Sequence, residues 1–317
     1  MTSPTFVALA EEYLALRRRL GFDLLSQGRS LLDFARYADR SGHRGSLTLD
    51  LALRWTESSD SDDPSAAARR LSIVRGFARH RAAFDPATEI PPTGLLGRAI
   101  RRKPPHIYSD TEIADLLRAA TELRPHGGLL PHTYVTLFAL LASTGLRNSE
   151  ARGLSCKDVD LDAGGVTVRA GKCRKSRLVP LHPSALEPLR RYVAWRDHCC
   201  GAARSVSFFR TEYAPSLTHM PVERVFLEIR RRLGWTAEGR ARLPRIHDLR
   251  HTFAVRRLLR WSEEGVDVDR KIAVLATYLG HAKVTDTYWY LTAVPELMAL
   301  TARRFERFAR REQGSAS

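Results

Sequence analysis

The sequence predicts a mainly α fold with a small three-stranded antiparallel sheet, arranged as a helical domain followed by a mixed α/β domain. Three observations predict it. Apolar residues recur at helical spacing through residues 4 to 83, a basic, proline-rich stretch interrupts them, and one later window, 157 to 181, alternates like paired strands. A chain of 317 residues that is 44% hydrophobic can bury one large core or two ordinary ones, so two domains are expected.

The elements follow in order. "FVALAEEYLALRRRLG" places apolar side chains on one helical face and ends on glycine, "SLLDFARYADRSG" repeats that pattern, and "SLTLDLALRWTES" is a third helix. "PSAAARRLSIVRGFARHRAAF" opens on Pro64, suited to a first turn because the N–H it lacks has no helical partner there. The SSDSDD run at 58 to 63 is a polar loop. Residues 1–84 therefore read as a helical domain. "DPATEIPPTGLLGRAIRRKPPH" is too rich in proline for a regular element, and Arg98, Arg101, Arg102 and Lys103 make it too basic for an idle spacer. Residues 85–105 are expected to be a linker touching phosphates.

The second domain, 106–317, opens with Ser109 and Glu112 in the S-x-x-E arrangement, whose hydroxyl and carboxylate satisfy the exposed amides of a helix start. Helices dominate again until "KDVDLDAGGVTVRAGKCRKSRLVPL". There Val159, Leu161, Val166 and Val168 alternate with polar residues around Gly164-Gly165, and a third strand runs through Leu178 to Leu181. "PSALEPLRRYVAWRDHCC", "PVERVFLEIRRRLG", the stretch from His251 to Leu291 and "PELMALTARRFERFARRE" return to helical spacing, the last beginning at Pro295. No internal repeat is evident.

Charge narrows the partner. There are 51 Lys and Arg against 35 Asp and Glu, a formal +16. The excess grows along the chain, from +2 over residues 1–100 (14 basic, 12 acidic) to +6 over 101–200 (16 and 10) and +8 over 201–317 (21 and 13). Such a surface suits a polyanion. The longest apolar run, "YVTLFALLAS", is about half of the roughly 20 residues that cross a bilayer, and no secretory pattern opens the sequence. A soluble cytoplasmic protein is expected. Cys156, Cys173, Cys199 and Cys200 have neither CxxC nor zinc-ligand spacing, so they read as free thiols and no metal is expected.

Four separated stretches hold unusual polar groups: "STGLRNSEARGL" with Arg147 and Glu150, "AGKCRKSRLVPL" with Lys172 in a turn between strands, "RIHDLRHTFA" with His247 and Arg250 on one face of a helix start, and "YLGHAKVTDTYWYL" with His281 and two tyrosines. Taken singly, each has an ordinary explanation: a local ion pair, a solvated hairpin lysine, a chance pairing. Together and in this order they resemble the tyrosine recombinases, the phage-integrase family. The shared blocks are Thr144-Gly-Leu-Arg147-Asn-Ser-Glu150, Gly171-Lys172 through Val179-Pro-Leu181, His247-Asp-Leu-Arg250-His-Thr-Phe-Ala254, Leu279-Gly-His281, and Tyr290 nine residues after that histidine. The likeness spans about residues 106 to 292 and extends more loosely to the helical domain. The segment between Ala254 and Leu279, with "RWSEEG" as the insert, is longer than in common members, and Tyr288 is extra.

The resemblance implies a site-specific recombinase that cuts and rejoins DNA through a 3′-phosphotyrosyl intermediate, without metal or nucleotide cofactor, in the service of a mobile element by integration, excision or transposition. Tyr290 is the implied nucleophile, Arg147 and Arg250 the guanidiniums on the scissile phosphate, His247 the base, Lys172 the general acid, His281 a phosphate hydrogen-bond donor and Glu150 a buttress. The chemistry suits these types: a phenol with a pKa near 10 needs a base as it attacks, and forked guanidiniums stay charged while binding two oxygens. Two residues on a helix turn about 200 degrees, so Tyr288 and Tyr290 cannot face one phosphate. Lys175 competes with Lys172, and Arg174, Lys175 and Arg177 are expected on the DNA backbone. The implied partner is double-stranded DNA with inverted-repeat sites, bound by a tetramer on synapsed DNA, the two domains clamping the duplex and the final helix docking on its own domain or a neighbour, with other recombinases as further partners. Placement on the bacterial nucleoid follows. The alternatives are a catalytically silent DNA-binding regulator, a type IB topoisomerase-like enzyme, and a metal nuclease using Asp158, Asp160 and Asp162.

Overall fold

Four helices build the first part of the chain: α1 (Phe6–Arg19), α2 (Leu25–Arg40), α3 (Leu49–Glu57) and α4 (Ala66–Arg81). The Thr5 and Thr48 hydroxyls accept from the Ala8 and Leu51 amides, filling donors that the starts of α1 and α3 leave unpaired. Helix α2 begins at Leu25 rather than at Ser30. Gly28 is buried within it against Leu14 of α1, where an added Cβ would be in ordinary contact, 3.4 Å from a Leu14 methyl. The Asp39 carboxylate accepts from the Phe6 and Val7 amides at 2.9 and 3.1 Å and ties the first turn of α1 to α2. Phe34 meets Trp55 edge-on, with ring centroids 5.3 Å apart, in a core completed by Leu14, Leu31, Leu51 and Phe77.

The structure is a computed structural model that describes residues 4–59, 61, 63, 65–97, 104–169, 176–200, 206–236 and 243–293. Pro64, Arg98, Arg101, Arg102, Lys103, Lys172, Cys173, Arg174, Lys175 and the helix expected from Pro295 lie outside those residues. The chain divides into two units, Met1–Arg102 and Lys103–Ser317. Residues 85–92, read as the start of a linker, are laced to the first unit. Arg75 donates to the Pro91 and Pro92 carbonyls at 2.7 Å each, and the Glu89 amide donates to the Leu47 carbonyl at 2.8 Å.

The second unit runs α5 (Asp110–Thr121), α6 (Leu129–Thr144), α7 (Asn148–Arg152), a 3-10 turn (Cys156–Asp158), β1 (Val159–Asp160), β2 (Gly165–Val168), β3 (Arg177–Pro180), α8 (Pro183–Cys200), α9 (His219–Arg232), α10 (Ile246–Glu263), α11 (Val268–Leu279) and α12 (Thr285–Ala293). The Ser109 capping box forms, with Glu112 N donating to Ser109 Oγ at 3.0 Å and Ser109 N donating to Glu112 Oε2 at 2.7 Å. The strands pair antiparallel in the order β1-β2-β3, with Val166 opposite Val179 and Val168 opposite Arg177. Val166 and Val179 are buried while Leu178 faces out, as pleat alternation requires.

Helix α6 carries the apolar run and is a core helix, with Leu137, Phe138 and Leu141 packed among Leu116, Val166, Val179, Phe226 and Leu249. Among the described residues, no helix is long and apolar enough to cross a membrane. "RWSEEG" extends α10 to Glu263 and closes at Gly265, whose φ is +74°. A separate cluster of Ala254, Val255, Leu258, Leu275, Leu279 and Tyr290 joins α10, α11 and α12.

Candidate active site

The site is organised by the end of α11. A helix leaves its last carbonyls without intrahelical donors, and Gly280 (φ +67°) turns the chain out of α11 in the left-handed region that glycine tolerates. The Ala276 and Thr277 carbonyls are taken back by the His281 and Gly280 amides, at 2.8 and 3.0 Å. The next three exposed acceptors go to three different arginines. Arg177 Nε donates to the Tyr278 carbonyl at 2.7 Å, Arg250 Nη2 to Leu279 at 2.6 Å and Arg147 Nη2 to Gly280 at 2.7 Å. The negative end of the helix dipole lies where these cations converge.

Arg147 is the residue before α7, which it enters from Gly145, the left-handed cap of α6 at φ +64°. Its amide donates to Glu150 Oε2 at 2.9 Å and its Nη1 to Glu150 Oε1 at 2.6 Å. Arg250, on the first turns of α10, is 2% exposed and also donates to the Gly145 carbonyl at 2.8 Å. Burial, then the neighbouring charge of Arg147, lowers its pKa to about 10, which leaves it cationic at neutral pH. Burial works to raise the Glu150 carboxyl. The hydrogen bonds from Arg177 and the Arg147 amide, then both charges, override that and hold it at about 2.

Arg177 corrects an expectation. Read as a DNA-backbone contact in a basic run, it turns inward, with its side chain 12% exposed and its guanidinium bonded to both Glu150 oxygens, at 3.1 and 2.8 Å, as well as to Tyr278. A carboxylate that matches the guanidinium fork and a helix-end carbonyl compete successfully with water for this group.

The tyrosines separate as helical geometry requires. Tyr290 is 2% exposed and Tyr288 is 42% exposed. The Tyr290 phenol oxygen lies 2.9 Å from His251 Nδ1, and its ring lies nearly parallel to that of His281 with centroids 6.4 Å apart. His281 Nδ1 is 2.6 Å from the hydroxyl of the buried Thr287. With the Thr287 hydroxyl as donor, the imidazole would keep its other nitrogen as an N–H. His247 stands exposed at the mouth of the site, edge-on to His251 with centroids 4.7 Å apart.

All three histidines are held neutral at pH 7. Partial desolvation, then the charge of Arg250, lowers His247 to about 4 despite an opposing pull from Asp248. Burial, then Arg250 and Arg147, lowers His281 to about 4. Burial, then His247 and Arg245, lowers His251 to about 3.

The structure thus brings Arg147, Glu150, His247, Arg250, His281 and Tyr290 around one turn. His251 was given no role from the sequence, yet it is the side chain hydrogen-bonded to the phenol. Its position one turn after His247 on α10, inside the family block that runs from His247 to Ala254, is the sequence signal that pointed to it. Among the described residues no group of three or more His, Cys, Asp or Glu is placed to hold a metal ion. Asp158 accepts instead from Ser155 and Arg169, and Asp160 from the amides of the turn that follows it.

The model of the phage integrase family matches residues 109–296, a span that takes in all of these groups. The chain belongs to the phage integrase family. Among its relatives in that family, y4rB of Sinorhizobium fredii, a presumptive integrase/recombinase, is 43% identical over 96% of this chain and 98% of its own length. The tyrosine recombinase XerD of Mycobacterium tuberculosis is 33% identical over 88% of this chain and 90% of its own. The fold of this integrase-family chain is also that of the Tn1549 transposon integrase, solved in complex with transposon right-end DNA, with a TM-score of 0.67 at 17% identity, covering 96% of this chain and 100% of that one.

Proposed function

We propose that this chain is a tyrosine-type site-specific recombinase of a mobile element, which cuts and rejoins DNA through a 3′-phosphotyrosyl intermediate on Tyr290. The observation that carries the proposal is the convergence of two guanidiniums, two histidines and one buried phenol on the turn after α11, from stretches far apart in sequence.

In the first step the Tyr290 oxygen forms a bond to the scissile phosphorus and the bond from phosphorus to the 5′ oxygen breaks. The phenolic proton passes to His247, which is neutral in the free protein and so able to accept it. An arriving phosphate adds negative charge beside an imidazole now depressed by arginines, and this raises its affinity for the proton. Arg147 and Arg250 hold the non-bridging oxygens, on which charge accumulates in the five-coordinate transition state. Glu150 keeps Arg147 in place, and His281 donates to one oxygen. Lys172 delivers a proton to the departing 5′ oxygen. The second step reverses these roles as another 5′ hydroxyl attacks the phosphotyrosine.

The substrate is duplex DNA with inverted-repeat sites, gripped by both units through phosphate contacts, with Arg98, Arg101, Arg102, Lys103, Arg174 and Lys175 on the backbone. Lambda integrase was solved as a tetramer bound to a Holliday junction, which supports four copies of this chain on synapsed sites, joined through the segment from Pro295. The test uses a nicked half-site taken from inverted repeats sought by sequencing the DNA that flanks the gene. Wild-type protein is expected to give an SDS-resistant adduct that Tyr290→Phe abolishes and Tyr288→Phe leaves intact. Tight binding to the half-site with no adduct at any pH would favour a silent regulator.

A further inference from the structure

Three arginines sit on the three carbonyls that end α11, and the proposed recombinase chemistry uses two of them. The third, Arg177, comes from the first position of β3, five residues after Lys172 in the sequence. It spends every hydrogen bond described for it on protein: Nε on the Tyr278 carbonyl and the two terminal nitrogens on Glu150. The same Glu150 oxygens accept from the backbone and side chain of Arg147. Arg147 then reaches Gly280, two residues beyond Tyr278. The result is a closed ring of contacts through Arg177, Glu150, Arg147 and the terminal turn of α11. The Arg177 head also fills the space beside Gly280, where a Cβ would stand 2.7 Å from its Nη1.

We infer that Arg177 is a positioning residue for the recombination reaction: it fixes Glu150, and through it the Arg147 guanidinium, and ties β3 to the end of α11 that leads into His281. This rests on the recombinase reading above. Glu150 alone is a carboxylate on a short helix with three rotatable bonds setting its acid group. Clasped from one side by Arg147 and from the other by Arg177, it has one orientation. A single-charge lysine cannot make the forked contact and reach the Tyr278 carbonyl together. A guanidinium displaced by about 1 Å from the scissile phosphate costs on the order of 100-fold in rate.

Arg177→Lys separates positioning from DNA contact because it keeps the charge and removes the fork. Single-turnover cleavage of the flanking-repeat half-site is expected to fall about 100-fold at saturating protein, with half-site Kd and its salt dependence unchanged. On a half-site whose scissile phosphate is a methylphosphonate, which lacks the charge Arg147 neutralises, the deficit of Arg177→Lys is expected to shrink as that of Arg147→Ala does. Glu150→Gln loosens the same clasp from its other side and is expected to show the same pattern, so the inference does not hang on the folding of one variant. Wild-type cleavage by Arg177→Lys overturns it. So does a weaker Kd for Arg177→Ala with a salt slope reduced by about one, the mark of a lost phosphate contact. If wild-type protein itself forms no adduct, the recombinase reading fails first.

Discussion

Replacing Gly280 by alanine should destabilise the second unit by more than a backbone penalty alone. At φ +67° a side chain costs about 1–2 kcal/mol. The new Cβ would also stand 2.7, 2.9 and 3.2 Å from Nη1, Cζ and Nε of Arg177. A free arginine head would swing aside at little cost, but this one is anchored to Glu150 and the Tyr278 carbonyl. Relief requires giving up at least one hydrogen bond to a charged group, worth about 1.5–3 kcal/mol. The total is about 2.5–5 kcal/mol, and at roughly 2–4 °C per kcal/mol for a unit of this size it lowers Tm by about 5–20 °C. Gly265→Ala is the control: φ is +74° there with nothing within 4 Å of the added Cβ, so only the backbone term applies. Scanning calorimetry of both variants against wild type checks the difference. Equal shifts for Gly280→Ala and Gly265→Ala would refute the claim that Arg177 is held rigidly against the turn.

The contact between His251 and Tyr290 should appear as a coupling energy: in a cycle of His251→Phe, Tyr290→Phe and the double variant, urea denaturation is expected to give about 1 kcal/mol, and additive losses would show that the 2.9 Å contact contributes nothing. Acid should destabilise the second unit through its histidines. His247 and His281 titrate near 4 and His251 near 3 in the folded protein, while unfolded histidine titrates near 6.5. Between those values the unfolded chain binds more protons, so stability is full above about pH 6.5 and declines as pH falls toward 4. Tm measured at steps from pH 7.5 to 4.5 is expected to stay level down to about pH 6.5 and to fall below it, and a smaller acid slope in His251→Phe would assign part of the fall to that ring.

Much of the fold was legible because its signals are local. The Ser109 box, the alternation around Gly164-Gly165, and the glycines that end α6 and α11 all act within a few residues. What escaped was set by distance. Helix α2 starts earlier than Ser30 because its first turns, Gly28 included, pack on Leu14 of α1, a contact that lies outside the local pattern. Arg177 reads as a surface cation because its neighbours in sequence are basic and polar, while its acceptors, Glu150 and Tyr278, arrive from a separate helix start and a helix end. His251 had the same difficulty, since its partner is on α12. Helical rotation alone separates Tyr288 from Tyr290, and the family spacing from His281 is what singles out Tyr290; in the structure Tyr290 is enclosed while Tyr288 faces out.

Anyone transplanting this cluster of side chains into another member of the family inherits a constraint from the last turn of α11. Its peptide groups serve as a common anchorage for side chains drawn from three distant stretches, so exchanging any one of those stretches without the turn leaves its arginine unmoored. Swaps confined to surfaces remote from residues 278–280 leave that anchorage whole and are where a search for altered specificity should begin.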